Sequence, residues 1–600
     1  MGSLIEDYAL VGDGRTAALI SRNGSVDWLC FPRFDAAACF AALLGTPEHG
    51  FWRITPTAHH IETSRQYREG TMILETRHKT REGEVRVTDY MPVGPGSHLI
   101  RLVEGLDGQV SMRMDLAIRF DYGIAVPWVA RDEWGDLRAV SGPHKLLLRT
   151  KAQVWGSDQT TISEFTVKPG DAVTFVLSYG GSHQEDPARI EPRKYLAETD
   201  AFWRGWSCRC ADGTPWDDIL KRSLLTLKAL IYAPTGGMVA APTTSLPEKL
   251  GGVRNWDYRF CWLRDSTFTL LALMDAGFVE EARAWRDWLL RAVAGNPEQA
   301  HILYGIAGER LLPEIELGWL PGYENSKPVR VGNAASTQFQ IDVYGELFDA
   351  LYQAGRRGLK SDENGWRLSL ALTKHLEKVW SEPDEGIWEI RGQRRHFVHS
   401  KIMAWVAFDR AIRSYEEDRQ LSGDAPLDRW RSVRDQIHAE VCERGFDPEL
   451  NSFVQSYGSK RLDASLLLIA HMGFLPQDDP RVIGTVEAIE CGLLQDGLVL
   501  RYDTEGQSAD GLPPGEGAFL PCSFWYVDNL IGLGRRSEAH AMIERLIRLC
   551  NDVGLISEEY DHIEKRLVGN FPQAFSHVAL VNTILNYSRA EGPARERSHR

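Results

Sequence analysis

The 600-residue sequence has no apolar run approaching the roughly 20 residues that a bilayer-spanning helix needs. Its opening, MGSLIEDYALVGDG, lacks the basic and then apolar stretch of a secretory leader. Basic clusters are scarce apart from the short tail 595–600, and 68 Lys and Arg against 83 Asp and Glu leave a net charge of −15. Nucleic acid is therefore excluded as a partner, because phosphates are neutralised by basic patches. The nine cysteines include no C-x-x-C pair, and the nearest two, Cys208 and Cys210, have one residue between them. Neither a disulfide framework nor a zinc site is encoded, as expected of a reducing compartment. There is no H-E-x-x-H, and His396 and His399 lack a partner set, so no metal is expected. Gly12-Asp13-Gly14 lacks the remaining spacing of a dinucleotide loop and reads as a turn, so no cofactor is expected either. What remains is a cytoplasmic protein that uses neither membrane, nucleic acid, metal nor cofactor; a homo-oligomer is left open.

Tryptophan is plentiful. Many of its 19 copies sit beside Arg, Asp or Gly rather than in apolar runs. Most serve packing, and the remainder suit sugar binding, where an aromatic face covers the C–H side of a pyranose. The hydrophobic share of 43% and charged share of 25% are those of a globular protein, and the length calls for more than one core.

Periodicity divides the chain. Over 110–120 the apolar residues alternate strictly, 80–84 reads as a hairpin turn, and Phe165/Val167 and Val173/Phe175/Leu177 repeat the period of two. Residues 1–186 are expected to form an antiparallel β-sandwich. A linker helix over 195–206 lies within a connecting segment, 187–213. The span 214–590 then reads as twelve helices, and 591–600 as a flexible tail. The helices fall near 216–232, 266–275, 279–293, 335–354, 365–379, 400–415, 427–442, 462–470, 480–489, 519–533, 537–549 and 574–587. Their links alternate between tight and long. The long ones, 233–265, 294–334, 380–399, 443–461, 490–518 and 550–573, are rich in Gly, Trp, Arg and Glu. Twelve antiparallel helices joined this way form an (α/α)6 barrel with all six long loops at one mouth, where function concentrates.

Two mouth loops carry carboxylates suited to glycosidic cleavage. That reaction needs one acid to protonate the leaving oxygen and, with inversion, one carboxylate to activate a water roughly 6.5–9.5 Å away. In Gly386-Ile387-Trp388-Glu389-Ile390, a lone Glu389 lies between apolar neighbours that disfavour its ionised form. In Ser557-Glu558-Glu559-Tyr560-Asp561, adjacent carboxylates repel, so one is expected to stay ionised as base while the other meets solvent or substrate. The first mouth loop is densest: Arg254, Asp257, Arg259, Arg264 and Asp265 interleave with Trp256, Tyr258 and Trp262. Such Arg–carboxylate pairs present fixed donors and acceptors to vicinal hydroxyls.

At these residues the sequence closely resembles bacterial members of glycoside hydrolase family 15, which holds glucoamylases and α,α-trehalases, including the N-terminal domain of its trehalase-like branch. The resemblance covers nearly the whole chain: the run from Ile5, LPEKLGGVRNWDYRFCWLRD at 246–265, GNAASTQFQIDVYGEL at 332–347, and SEEYD with GNFPQAFSH at 557–577. It implies hydrolysis with inversion, Glu389 as general acid, Glu558 as general base, and Arg264 with Asp265 holding the terminal glucose. It also implies that Arg501-Tyr502 opens the leaving-group subsite. Trp256 joins the glucose subsite by its place in the loop, with Trp262 and Asp257 behind it, and Trp388 and Glu559 flank the two carboxylates. Arg330, flanked by Val329 and Val331, is a second candidate for the leaving group. Fungal glucoamylases have a second Glu where this chain has Ile390, which puts starch-type contacts in doubt. The expected activity is exo-hydrolysis of an α-glucoside, trehalose ahead of malto- or isomalto-oligosaccharides. The alternative from another class is a catalytically silent glucan-binding protein.

Overall fold

The computed structural model describes residues 2–58, 61–210, 213–360, 362–417, 425–503 and 510–589; the expected tail at 591–600 lies outside them. Two eight-stranded sheets form the N-terminal part. The first runs in the order 8–12, 17–21, 25–30, 51–56, 110–117, 160–167, 155–157, with 38–40 added to 25–30. The second runs 128–131, 137–141, 144–150, 172–181, 97–108, 83–90, 74–79, 62–67. Their ladders are antiparallel. The alternation over 110–120 buries Val110, Met112, Met114 and Leu116, and the turn after Lys79 closes the expected hairpin. Asp13 accepts from the backbone of Arg15 and Thr16, making Gly12-Asp13-Gly14 a turn.

Helix α1 (Pro192–Ser207) leads into a ring of helices. The inner members are α3 (Ser266–Asp275), α5 (Asp342–Arg356), α7 (Val398–Glu417), a 3-10 helix (Ala464–Leu468), α10 (Leu520–Gly532) and α12 (Ala574–Ser588). Each packs on the next, and α12 returns to α3, closing the circle. Outside them lie α2 (Asp217–Leu230), α4 (Val279–Val293), α6 (Glu363–Val379), α8 (Leu427–Arg444), α9 (Pro480–Gly492) and α11 (Arg536–Ile547). Burial follows the ring. Every residue of α5 from Asp342 to Ala354 is buried, whereas α6 buries Gly365, Ser369, Leu372, Thr373 and Leu376, one stripe at helical spacing. Long links run from outer to inner helices, so all inner helices begin at the same mouth.

Two of the expected helices differ. The one placed over 335–354 is broken: a 3-10 turn (Ala334–Thr337) precedes α5. The intervening amides of Phe339 and Ile341 donate to the Glu385 and Asp384 carboxylates at 2.9 Å each, instead of to helical carbonyls. The one placed over 462–470 is the five-residue 3-10 helix. Asp463 is held by Trp388 and Gln455, and the 3-10 helix that follows it advances further per residue than an α-helix does.

The sandwich buttresses the mouth. Arg259 of the first mouth loop is buried; it donates to both Asp257 oxygens at 2.8 and 2.6 Å, to Ala36 O at 2.8 Å and to the Tyr122 hydroxyl at 2.8 Å. Trp28 Nε1 donates to Pro242 O at 2.7 Å, and Arg33 pairs with Glu309 at 2.8 Å. A buried hydrogen bond to a charge contributes about 1.5–3 kcal/mol, and a buried carboxylate that loses its partner costs about 3–5 kcal/mol. Tyr122→Phe should therefore lower the thermal unfolding midpoint modestly and Arg259→Met by clearly more. Equal midpoints for the two variants would show that the Asp257 pair does not hold the interface.

Candidate active site

The inner helices leave a cavity at the mouth, faced by Glu248, Arg254, Trp256, Tyr258, Arg264, Trp388, Glu389, Arg391, Arg501, Tyr502, Asp510, Leu512 and Phe519, with Asn333. The residues come from four of the six long links, which only ring closure brings together.

Glu389 sits on a tight turn after Gly386, with its amide on Gly386 O at 3.0 Å. Its φ of 56° is in the left-handed region, which non-glycine residues occupy at a cost and mostly at functional sites. The turn is pinned by Gln338, whose side-chain amide donates to the carbonyls of Glu389 and Ile390 at 3.2 and 3.1 Å. The carboxylate accepts from Trp262 Nε1 at 2.7 Å and Arg264 Nη1 at 3.2 Å. Burial raises its pKa above the usual carboxylate value, against the lowering effect of Arg264 and Trp262.

Glu558 is fully buried on the last mouth loop. Its amide donates to Asn570 O at 3.1 Å, and its Oε2 accepts from Asn570 N at 3.0 Å. Gly569 between these strands has φ 76°, and a Cβ there would lie 2.7 Å from the Glu558 side chain, so only glycine leaves room for the carboxylate. Burial first, then the Glu248 charge, pushes its pKa up to about 8, opposed by the Tyr258 hydroxyl and Arg501. The ring of Tyr258 packs edge-on against Trp262, centroids 5.2 Å apart. Trp262, which holds Glu389, and Tyr258, which bonds Glu558, are thus in contact with each other.

Arg501 anchors the opposite wall. Its Nη2 lies 2.9 Å from Glu248, 2.7 Å from Glu516 and 3.0 Å from Glu559. These three carboxylates converge within 4.8 Å of one another, and the cation they surround is this guanidinium. Arg254 adds a pair to Asp510 at 2.6 Å.

The sequence candidates divide accordingly. Glu389, Arg264, Trp256, Trp388, Arg501 and Tyr502 face the cavity. Trp262 stands behind Glu389, and Asp265 behind Arg264, which it pairs at 2.9 Å. Asp257 accepts from Arg259 and from the Gly332 amide at 3.0 Å, supporting the loop from behind. Glu559, expected to meet solvent or substrate, is buried away from solvent and pairs with Arg501 at 3.0 Å. Arg330 does not face the cavity among the described residues. Its guanidinium lies 4.6 Å from the centre of the Trp256 ring and donates to Val253 O and Asn255 O. Glu248, Arg254, Tyr258, Gln338, Asp510 and Glu516 were missed as site residues. The first three belong to the dense loop at 246–265, which was signal enough; Asp510 and Glu516 lie in a Gly- and Pro-rich stretch that shows only a loop.

Residues 215–585 match the pattern of Glycosyl hydrolases family 15, and residues 2–203 that of the trehalase-like N-terminal domain. The chain belongs to glycosyl hydrolase family 15. It is therefore a glycoside hydrolase. It is 37% identical to a trehalase of Mycobacterium tuberculosis, covering 98% of this chain and 90% of that one. A trehalase of Thermoplasma acidophilum is 36% identical, covering 94% and 97%. Among solved structures, a bacterial glucoamylase complexed with acarbose shares the fold at TM-score 0.72 and 12% identity, covering 99% of this chain and 96% of that one. No described helix of this family 15 member is long and apolar enough to cross a membrane.

The left-handed backbone at Glu389 generates a prediction for a family 15 site held in strain. Asparagine adopts this conformation more readily than glutamate and needs no buried charge. Glu389→Asn should raise the unfolding free energy by about 0.5–1 kcal/mol, while abolishing turnover. An inactive variant that is also less stable would show that the turn stores no strain.

Proposed function

We propose that this family 15 chain hydrolyses α,α-trehalose with inversion, with Glu389 as general acid and Glu558 as general base. The observation that carries the reading is the pair itself: two buried carboxyls on separate mouth loops, Glu389 facing the cavity and Glu558 bound to Tyr258, which faces the same cavity. Inversion requires the two carboxyls to stand roughly 6.5–9.5 Å apart, which leaves room for the attacking water. Relatives named as trehalases, matching along nearly the whole chain, support the choice of substrate.

The chemistry follows from the partners. Glu389, kept protonated by burial, gives its proton to the bridging oxygen as the bond breaks. Arg264, oriented by Asp265, and Trp256 hold the non-reducing glucose. Glu558 takes a proton from water on the opposite face, and Tyr258 orients it for that. The developing positive charge on the sugar is stabilised by the surplus of carboxylates around Arg501. Tyr502 and Arg501 line the leaving-group side. We place the reaction in the cytoplasm, which suits nine unpaired cysteines.

Glu389→Gln and Glu558→Gln should each lower kcat by about 10²–10⁴-fold with KM little changed. NMR of fresh product should show β-glucose appearing first. Release of α-glucose, or a normal rate in either variant, would remove the pair from these roles. A panel of trehalose, maltose, isomaltose and soluble starch tests the substrate; preference for maltose or starch would reassign it.

The pH profile supplies a second check. Turnover needs Glu558 ionised and Glu389 protonated, so kcat/KM is bell-shaped in pH, with one limb set by each carboxyl. Glu248 raises the Glu558 pKa. Glu248→Gln should therefore move the limb set by Glu558 to lower pH and leave the other nearly in place. A shift upward, or none, would mean that Glu558 does not set that limb.

A further inference from the structure

The wall that closes the cavity opposite Glu389 is made by residues 510–517. On one side the Arg391 amide donates to Asp510 O at 2.8 Å. On the other, Arg254 Nη2 donates to Pro513 O at 3.3 Å, Lys249 Nζ to Pro514 O at 3.4 Å, and the Gly517 amide to Glu248 O at 3.0 Å. The segment thus joins the loop that carries the general acid to the first mouth loop. Its ends are fixed by ion pairs: Asp510 with Arg254 at 2.6 Å, and Glu516 with Arg501 at 2.9 and 2.7 Å. Asp510 also accepts from the Tyr502 hydroxyl at 2.7 Å and from the Leu512 amide at 3.0 Å. Asp510 and Arg254 are buried, although the segment between the anchors is exposed at Gly511, Pro513 and Pro514. Asp510 and Leu512 both face the cavity.

A hydrolase that acts on the ends of long glucans needs the leaving-group side open, because the rest of the chain must leave through it. Here that side is bridged. We infer that residues 510–517, latched by the Arg254–Asp510 pair, limit the leaving group to a single sugar, so that this enzyme accepts disaccharides and rejects longer α-glucans. The inference rests on the assignment of the cavity to α-glucoside cleavage, and it adds the determinant of substrate length. The latch is built to last: Asp510 has three side-chain or backbone donors, and prolines 513 and 514 narrow the conformations that the bridge explores. Leu512 supplies an apolar edge where a second leaving-side sugar would place its hydroxyls, and burying unpaired hydroxyls is costly.

The test compares sugars that differ only in length. Trehalose is paired with trehalose extended by one α-1,4-linked glucose, and maltose with maltotriose; 4-nitrophenyl α-glucoside serves as a substrate whose leaving group needs no wall. The wild type should favour the disaccharide in the pair that it cleaves by at least 100-fold in kcat/KM. Asp510→Ala should narrow that ratio at least tenfold, chiefly by losing rate on the disaccharide and gaining it on the trisaccharide. Asp510→Asn, which keeps the Tyr502 contact, should fall between. Leu512→Ala, at a half-exposed position that the fold does not depend on, should narrow the ratio in the same direction. A wild-type ratio below about 3, or variants that slow both members of a pair equally, would overturn the inference. Absence of cleavage of every one of these substrates by the wild type would instead overturn the assignment of the cavity, and the two failures are thereby told apart.

Discussion

Seven carboxyl groups, from Glu248, Asp265, Glu389, Asp510, Glu516, Glu558 and Glu559, share the mouth of the helical ring with the four guanidiniums of Arg254, Arg264, Arg391 and Arg501. Most are removed from water, and acids exceed bases. An excess of buried negative charge is relieved by holding protons, by pairing, or by a developing positive charge nearby. The first keeps protons in the cavity at pH values where free carboxylates have none, as seen in the raised pKa of Glu389 and Glu558. The second is the work of Arg501 and Arg254. The third is what the transition state of glycoside cleavage offers, and it makes the same imbalance useful for catalysis.

Such a cluster demands a rigid frame, and the architecture provides it at two levels. The inner helices are buried along their length, so their beginnings at the mouth are fixed by packing on both neighbours. The sandwich then fixes the first mouth loop from outside, through Arg259 and its bonds to Asp257, Ala36 and Tyr122. Asp257 passes this support on to Gly332 in the second mouth loop. The N-terminal part therefore contributes to the site without facing the cavity.

The two places where helical periodicity fails serve the same end. Breaking the helix before Asp342 frees Gln338 to hold the carbonyls of Glu389 and Ile390. Shortening the eighth helix leaves Asp463 to receive Trp388 Nε1 at 2.9 Å. In both, a backbone or side-chain bond to the Glu389 loop displaces regular helix, a local conflict that is typical of functional sites.

Periodicity in the sequence determined the sandwich, the alternation of tight and long links, and so the ring with its single mouth, because burial patterns are local and repeat with the element. Strings such as WLRD and SEEYD likewise determined where Arg264, Asp265 and Glu558 lie along the chain. Only the tertiary structure decided which of these side chains face the cavity. Arg330 and Glu559 read as well as Arg501 from their flanks, yet one covers Trp256 and the other stands behind Arg501. Asp510 and Glu516 carried no local signal at all. Both meet Arg254 of the first mouth loop, far earlier in the chain, and Glu516 also meets Arg501 of its own loop; the sign and strength of such pairing are fixed by distance and burial, which a linear sequence does not contain.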